Sequence, residues 1–315
     1  MKKKLITVTI IILVILTIII FIIHNSENKY QYNNPIIPEG FHKLETETAS
    51  WNIENGVPKG WNNGLVIEDN RGNQFVWIPV DKEKMEEFKN YNNKAIYEKK
   101  VLNNKNQEDK QIIRYGGFYV SRYEAGLSKQ ITNNNKEFTE VTNNKEGIPV
   151  SKKNTIPWNN ISFENAKKNA TLMYNTEDIK SSLITEKQYL YILSWIEKSG
   201  YNITKSKKWG NFANSFFSYS GLYSEDLGKS YMYIENGNKK DKNILLATGI
   251  SENNKAKNIY DIAGNLMEYV SNAKINKQAA YGGYFDYIDQ GANQSLYYYN
   301  DCSPYIGFRV VLNIN

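Results

Sequence analysis

The 315-residue chain predicts an α+β domain, and three features of the sequence lead there. Most patterned segments are short apolar or alternating runs bounded by Gly, Asn and Asp, as strands are. Two segments instead space their apolar residues three and four apart behind helix-capping residues. No segment repeats and nothing marks a second core, so strands and helices are expected to share one layered unit.

At the start of the chain, Lys2, Lys3 and Lys4 precede Leu5 to Ile23, nineteen residues without a charge. About twenty apolar residues in a helix span a bilayer core of roughly 30 Å. A cleaved signal peptide is the rival, but its apolar core runs about 7–15 residues and ends at small residues. Here the run ends in Phe21-Ile-Ile-His24. The expectation is one transmembrane helix at 5–23 that stays uncleaved, a cytoplasmic stub at 1–4, and the remainder outside the cell by the positive-inside bias. Residues 24–63, with Pro35, Pro38 and Gly40, read as a stalk, and 64–315 as the domain.

Within the domain, Leu65-Val-Ile67 and Gln74-Phe-Val-Trp-Ile-Pro-Val80 flank an Asn/Gly-rich tip and predict a hairpin. Lys82 to Lys89 reads as a short helical stretch, and Arg114 to Ala125 as an aromatic-polar strand. Leu127 to Lys153, rich in Asn, Lys and Thr, reads as an exposed loop. Ser162 precedes Phe163, Ala166, Ala170 and Met173, helical spacing behind a good N-cap. Thr185-Glu-Lys-Gln188 matches a capping box and leads into the apolar Tyr189 to Ile196. Asn202 to Asn258 shows no clear period. Tyr260 to Asn272, with a turn before it, resembles a half-buried strand; Ala280 to Tyr284 and Ile306 to Leu312 read as the closing strands.

The net charge of +6 includes the three N-terminal lysines and leaves +3 for the rest. That balance is weak for a nucleic-acid binder, and none is expected as a partner. One cysteine, Cys302, excludes both an intramolecular disulfide and a cysteine-cluster metal site. The two histidines, His24 and His42, fall in the anchor flank and the stalk, so no His-based triad or zinc site is expected in the domain. The abundance of Asn, Lys, Ile and Tyr resembles the output of an AT-rich genome.

Taken in order, six motifs resemble the formylglycine-generating enzyme, or sulfatase-modifying factor, family. They are Phe75-Val-Trp-Ile-Pro-Val80; Phe118-Tyr-Val-Ser-Arg-Tyr-Glu124; Ile156-Pro-Trp158 with the helix after Ser162; Ser182 to Tyr189; Tyr260 to Val270; and Gly282-Gly283 followed by Gly307-Phe-Arg-Val-Val311. The resemblance spans about residue 64 to 312 and implies a variant of the C-type lectin fold. It also implies a calcium ion held by the Asp261 and Glu268 side chains and the Gly264 and Leu266 carbonyls. Calcium takes six to eight oxygen ligands, so two carboxylates with carbonyls and water are chemically reasonable. The bland alternative is that Asp261 and Glu268 only cap a turn.

The family's oxidase chemistry needs two cysteines five residues apart, and counting from Gly282-Gly283 those positions hold Tyr287 and Ala292. Neither offers the soft thiolate that Cu(I) needs, so no copper is expected. A related branch binds iron through histidines this domain lacks, so no iron is expected either. Cys302 stands alone without a nearby base and reads as a passive thiol. What remains is a scaffold for loops. Tyr281 to Asp301 is dense in Tyr, Asp, Asn and Ser, the composition of a paratope. Some proteins of this family are diversified by retroelements before the final Gly-Phe-Arg, and this stretch is similar to such a product. Tyr284, Tyr287, Tyr297 and Tyr299 are the candidate ligand-binding residues, with core packing as the alternative for some. The expected function is a catalytically silent, membrane-anchored extracellular binding protein for a protein, glycan or cell-wall ligand. The rivals are an oxidoreductase or other enzyme of altered chemistry, using Asp286, Asp289 or Asp301 as acid/base groups, and a structural envelope subunit.

Overall fold

A computed structural model of the protein describes residues 35–46, 50–80, 115–127, 137–139, 145–271, 278–298 and 302–314. The expected membrane span at 5–23 and the helical stretch at 82–89 lie outside them. Among the described residues, no helix is long and apolar enough to cross a membrane.

The described residues form a mixed α+β domain, mostly sheet, with two helices. Its strands include β1 (Phe41–Leu44), β2 (Val66–Asp69), β3 (Gln74–Pro79), β4 (Gly117–Ser121), β5 (Glu137–Thr139), β6 (Ile179–Leu183) and β7 (Ser218–Ser224). They continue with β8 (Ser230–Lys239), β9 (Leu245–Leu246), β10 (Met267–Val270), β11 (Gln278–Tyr281), β12 (Ser295–Tyr298), β13 (Ile306–Phe308) and β14 (Val310–Ile314). The helices are α1 (Phe163–Thr171) and α2 (Glu186–Glu197). A six-stranded antiparallel sheet runs β1-β2-β3-β4-β14-β6. A four-stranded sheet runs β12-β11-β10-β13, with β10 and β13 parallel, and another runs β9-β7-β8-β5.

The β2–β3 hairpin forms because its tip satisfies itself. Asp69 Oδ1 accepts from the Arg71 and Asn73 amides at 2.9 and 2.8 Å, and Gly72 takes the positive φ that the turn needs. Phe75-Val-Trp-Ile78 reads as unbroken apolar sequence because both faces of this sheet are covered. Val76 and Ile78 join Tyr189, Ile192 and Ile196 of α2 in one core cluster. Phe75 and Trp77 join Ala166 and Ala170 of α1 in another. Both helices start as the sequence dictates. The Ser162 side chain accepts from the Asn165 amide, and Thr185 and Gln188 close a reciprocal capping box.

Five elements differ from expectation. The folded unit begins before residue 64: β1 pairs with β2, setting Leu44 opposite Val66, and Trp51 and Trp61 are buried. His42 therefore lies in the sheet, 3.6 Å from Glu68, and not in a stalk. An edge strand only partly buried carries little apolar signal, which is why this stretch resembles a linker. The expected loop at 127–153 contains β5 and a two-residue pairing of Gly126–Leu127 with Pro149–Val150. The aperiodic stretch 202–258 contains the β7–β8 hairpin, where a register shift between Tyr219 and Gly221 breaks the alternation. The final strand is two: β13 pairs with β10, β14 pairs with β4 and β6, and Arg309 sits at the crossing between sheets. The described part of the segment, 260–271, is more than half-buried, since β10 is buried on both faces.

Candidate functional site

Two layers meet below the loops that follow β11. The lower one is a buried carboxylate cluster. Glu124, three residues past β4, turns both oxygens onto the 264–266 turn: Oε1 accepts from the Leu266 amide at 3.0 Å and Oε2 from Asn265 Nδ2 at 2.6 Å. Asp261, in the left-handed region at φ 56, accepts from the Gly249 amide at 2.8 Å. Glu268, on β10, receives the Arg309 guanidinium at Oε1, 2.8 Å from Nε and 2.6 Å from Nη2. Arg309 also donates to the Ser121 and Tyr260 carbonyls at 2.9 and 2.8 Å. All four groups are buried. Gly264 cannot be replaced here without movement, because a Cβ would fall 2.2 Å from the Asn211 carbonyl oxygen, and its φ is 70.

Three carboxylates thus face one guanidinium, and the imbalance shows in their proton affinities. Burial, with the negative charge of Glu268, pushes Asp261 up to about 7, against the pull of the Gly249 bond and Arg309. Burial raises Glu268 despite Arg309, and burial with Asp261 and Glu268 nearby raises Glu124 well above the usual range. Glu268 Oε2 is buried with no hydrogen-bond partner among the described residues. A buried acceptor left open beside an excess of negative charge suits a hard cation. No three His, Cys, Asp or Glu side chains converge to hold a metal among the described residues. An ion here would rest on Asp261, Glu268 and carbonyls such as those of Gly264 and Leu266, with Glu124 turned away to hold the turn.

The upper layer is aromatic and is fixed to the lower one: the Phe285 amide donates to the Asn265 carbonyl at 3.1 Å and the Gly264 amide to the Gly282 carbonyl at 2.8 Å. Tyr284 and Tyr287 stack, with centroids 5.6 Å apart and planes 27° apart. Tyr305 lies 4.6 Å from Tyr284 at 39°. Asp286 bridges the group, accepting from Asn243 Nδ2 at 2.9 Å and from the Tyr305 hydroxyl at 3.3 Å. Tyr287 and Ile288 are 41% and 56% exposed, and Phe216, on a neighbouring loop, is 75% exposed. The two loops are joined by the Ala213 amide to the Tyr287 carbonyl at 2.9 Å and the Asp289 amide to Asn214 Oδ1 at 3.0 Å. Lys240 fastens the base, its Nζ donating to the Phe212 and Ala213 carbonyls. Burial draws its pKa down to about 8.

The structure therefore gathers Tyr284 and Tyr287 on one face. Tyr297 lies on β12, whose backbone pairs Tyr297 with Ala279; Tyr299 and Asp301 lie outside the described residues. Asp289 is spent on loop structure, accepting from the Gly291 and Lys207 amides. Ala292 is fully buried and Cys302 is exposed. Glu124, Arg309, Tyr305, Asn243 and Phe216 are the participants that pattern reading did not single out. A glutamate closing an aromatic strand and an arginine inside an apolar run were the available signals for the first two, since each must be paired if buried.

No family model matches the chain, and no curated protein matches it. One solved structure, described as the crystal structure of CarF, aligns over 63% of this chain and 87% of its own at 15% identity, with a TM-score of 0.37.

Proposed function

We propose that the chain is a membrane-anchored binding protein: residues 5–23 hold it in the membrane, and the α+β domain is displayed outside the cell. The motif order from Phe75 to Val311 supports a C-type lectin-like fold of the formylglycine-generating enzyme type. The domain acts by capture rather than by catalysis. The observation that carries this reading is the Tyr284–Tyr287–Tyr305 array, solvent-facing at Tyr287 and held on loops locked by backbone hydrogen bonds. Rigid tyrosines give large contact area at small entropic cost, and a prelocked loop forfeits little freedom on binding. Calcium, held by Asp261 and Glu268 with the Gly264 and Leu266 carbonyls, would neutralise the buried cluster and stiffen the turn beneath the array. The positions that would supply sulfur to copper hold Tyr287 and Ala292.

The test is an array of cell-surface proteins, glycans and cell-wall fragments probed with the full-length chain in detergent. Retention of a ligand that is lost on Tyr284→Ala/Tyr287→Ala substitution, with the melting temperature unchanged, supports the reading. Ligand retention unaffected by the double substitution contradicts the assignment of this face.

A further inference from the structure

We infer that Tyr284, Tyr287 and Tyr305, with Asp286 and Asn243, form a saccharide site that takes the apolar face of a neutral pyranose ring. The inference rests on the binding-protein reading and names its ligand class. Tyr287 stacks on Tyr284 and is 41% exposed, so the pair presents aromatic surface to solvent. An aromatic face carries the negative end of the ring quadrupole. The C–H bonds on one side of a pyranose are its positive, apolar side, so the two surfaces complement each other.

Beside that platform stands a polar pair. Asp286 Oδ1 accepts from Asn243 Nδ2 at 2.9 Å and Oδ2 accepts from the Tyr305 hydroxyl at 3.3 Å. A carboxylate has about four acceptor positions, and a primary amide two donors and a carbonyl. Each group therefore keeps bonding capacity after holding the other. An acceptor and a donor set side by side are what neighbouring ring hydroxyls require, since each hydroxyl both donates and accepts.

The geometry disfavours two other ligands of aromatic sites. Quaternary ammonium groups are bound where several ring faces surround the cation, whereas Tyr284 and Tyr287 lie within 27° of parallel and offer one face. A nucleotide base would stack as well, but Asp286 at the edge of the platform repels its phosphate.

The experiment uses the full-length chain in a polyoxyethylene-ether detergent, whose headgroup contains no sugar. The probes are tetrasaccharides of β-1,4-linked glucose, β-1,4-linked N-acetylglucosamine and α-linked mannose, read by saturation-transfer NMR and titration calorimetry. Adenosine monophosphate, tetramethylammonium and a cell-surface protein array run in parallel. The expected result is binding of at least one tetrasaccharide, with saturation strongest on ring C–H protons. Affinity should fall at least tenfold in Tyr287→Ala and in Asp286→Ala and stay within about twofold in Tyr287→Phe, which keeps the ring. Binding of no tetrasaccharide, or equal binding by Tyr287→Ala, overturns the inference, as does adenosine monophosphate or tetramethylammonium binding in the sugar's place. Capture of a defined array protein, lost in Tyr287→Ala and without sugar binding, overturns the saccharide site and leaves the binding-protein reading standing. No capture of any kind removes both.

Discussion

Replacing Asp261 by Asn removes one buried negative charge while keeping a side-chain oxygen for the Gly249 amide, and its effect depends on pH. The carboxyl sits near 7 in the folded chain, against an ordinary value of 3.8. Between those values the folded state holds a proton that the unfolded state has released, so stability falls as pH rises through 7. At about 1.4 kcal/mol per tenfold change in proton affinity, the loss between pH 5 and pH 8 is about 3 kcal/mol. With calcium chelated, Asp261→Asn should be more stable than wild type by about 3–4 kcal/mol at pH 8 and by only about 1 kcal/mol at pH 5. Urea unfolding followed by tryptophan fluorescence at both pH values measures the difference. Millimolar calcium at pH 8 should then raise wild type more than the variant, whose amide oxygen can still ligate but without the charge, because a ligand of the native state stabilises according to its occupancy. A chelated wild type that gains stability from pH 5 to pH 8, or a variant less stable than wild type at pH 8, would refute the reasoning.

Three further outcomes follow from the same structure. Arg309→Met strips Glu268 of its cation and frees the Ser121 and Tyr260 carbonyls, and should cost about 3–5 kcal/mol in urea unfolding, as removal of one partner from a buried pair does. Lys257, drawn down to about 7 by burial, gives the opposite slope: the unfolded chain keeps its proton up to 10.5, so stability rises from pH 7 toward 10. Lys257→Met should make the rise of chelated wild type between pH 7 and 10 shallower in the same unfolding series, leaving the part that Lys240, drawn down to about 8, contributes above pH 8. Incubated with a cysteine-containing sulfatase peptide, copper and oxygen, the protein should leave the peptide mass unchanged; conversion of its cysteine to formylglycine would contradict the capture reading.

The helices were legible because each begins with a local device, the Ser162 cap and the Thr185–Gln188 box, that needs no tertiary partner. The β2–β3 hairpin was legible for the same reason, its tip bonding within itself through Asp69 and Asn73. Strands whose partners are distant left weaker marks. β1 is half-exposed, and its pairing with β2 cannot be inferred from Phe41-His-Lys-Leu44 alone. The division of the last strand at Arg309 depends on which neighbours it finds, β10 before the arginine and β4 and β6 after it. The same holds for the site. Asp261, Gly264 and Glu268 sit together in one motif, whereas Glu124 comes from 141 residues before its partner Asn265. Tyr284 and Tyr287 were visible as a dense aromatic stretch, but the loop at 213–216 that braces them carries no sequence sign of its role.

The most direct measurement of the central claim compares ligand retention by wild type and by the Tyr284→Ala/Tyr287→Ala variant of the full-length chain on one array of cell-surface proteins, glycans and cell-wall fragments. The account predicts a discrete ligand on wild type, at least a tenfold loss in the variant, and equal melting temperatures. Equal retention by both proteins, or a variant that loses its ligand only because it has unfolded, would contradict it.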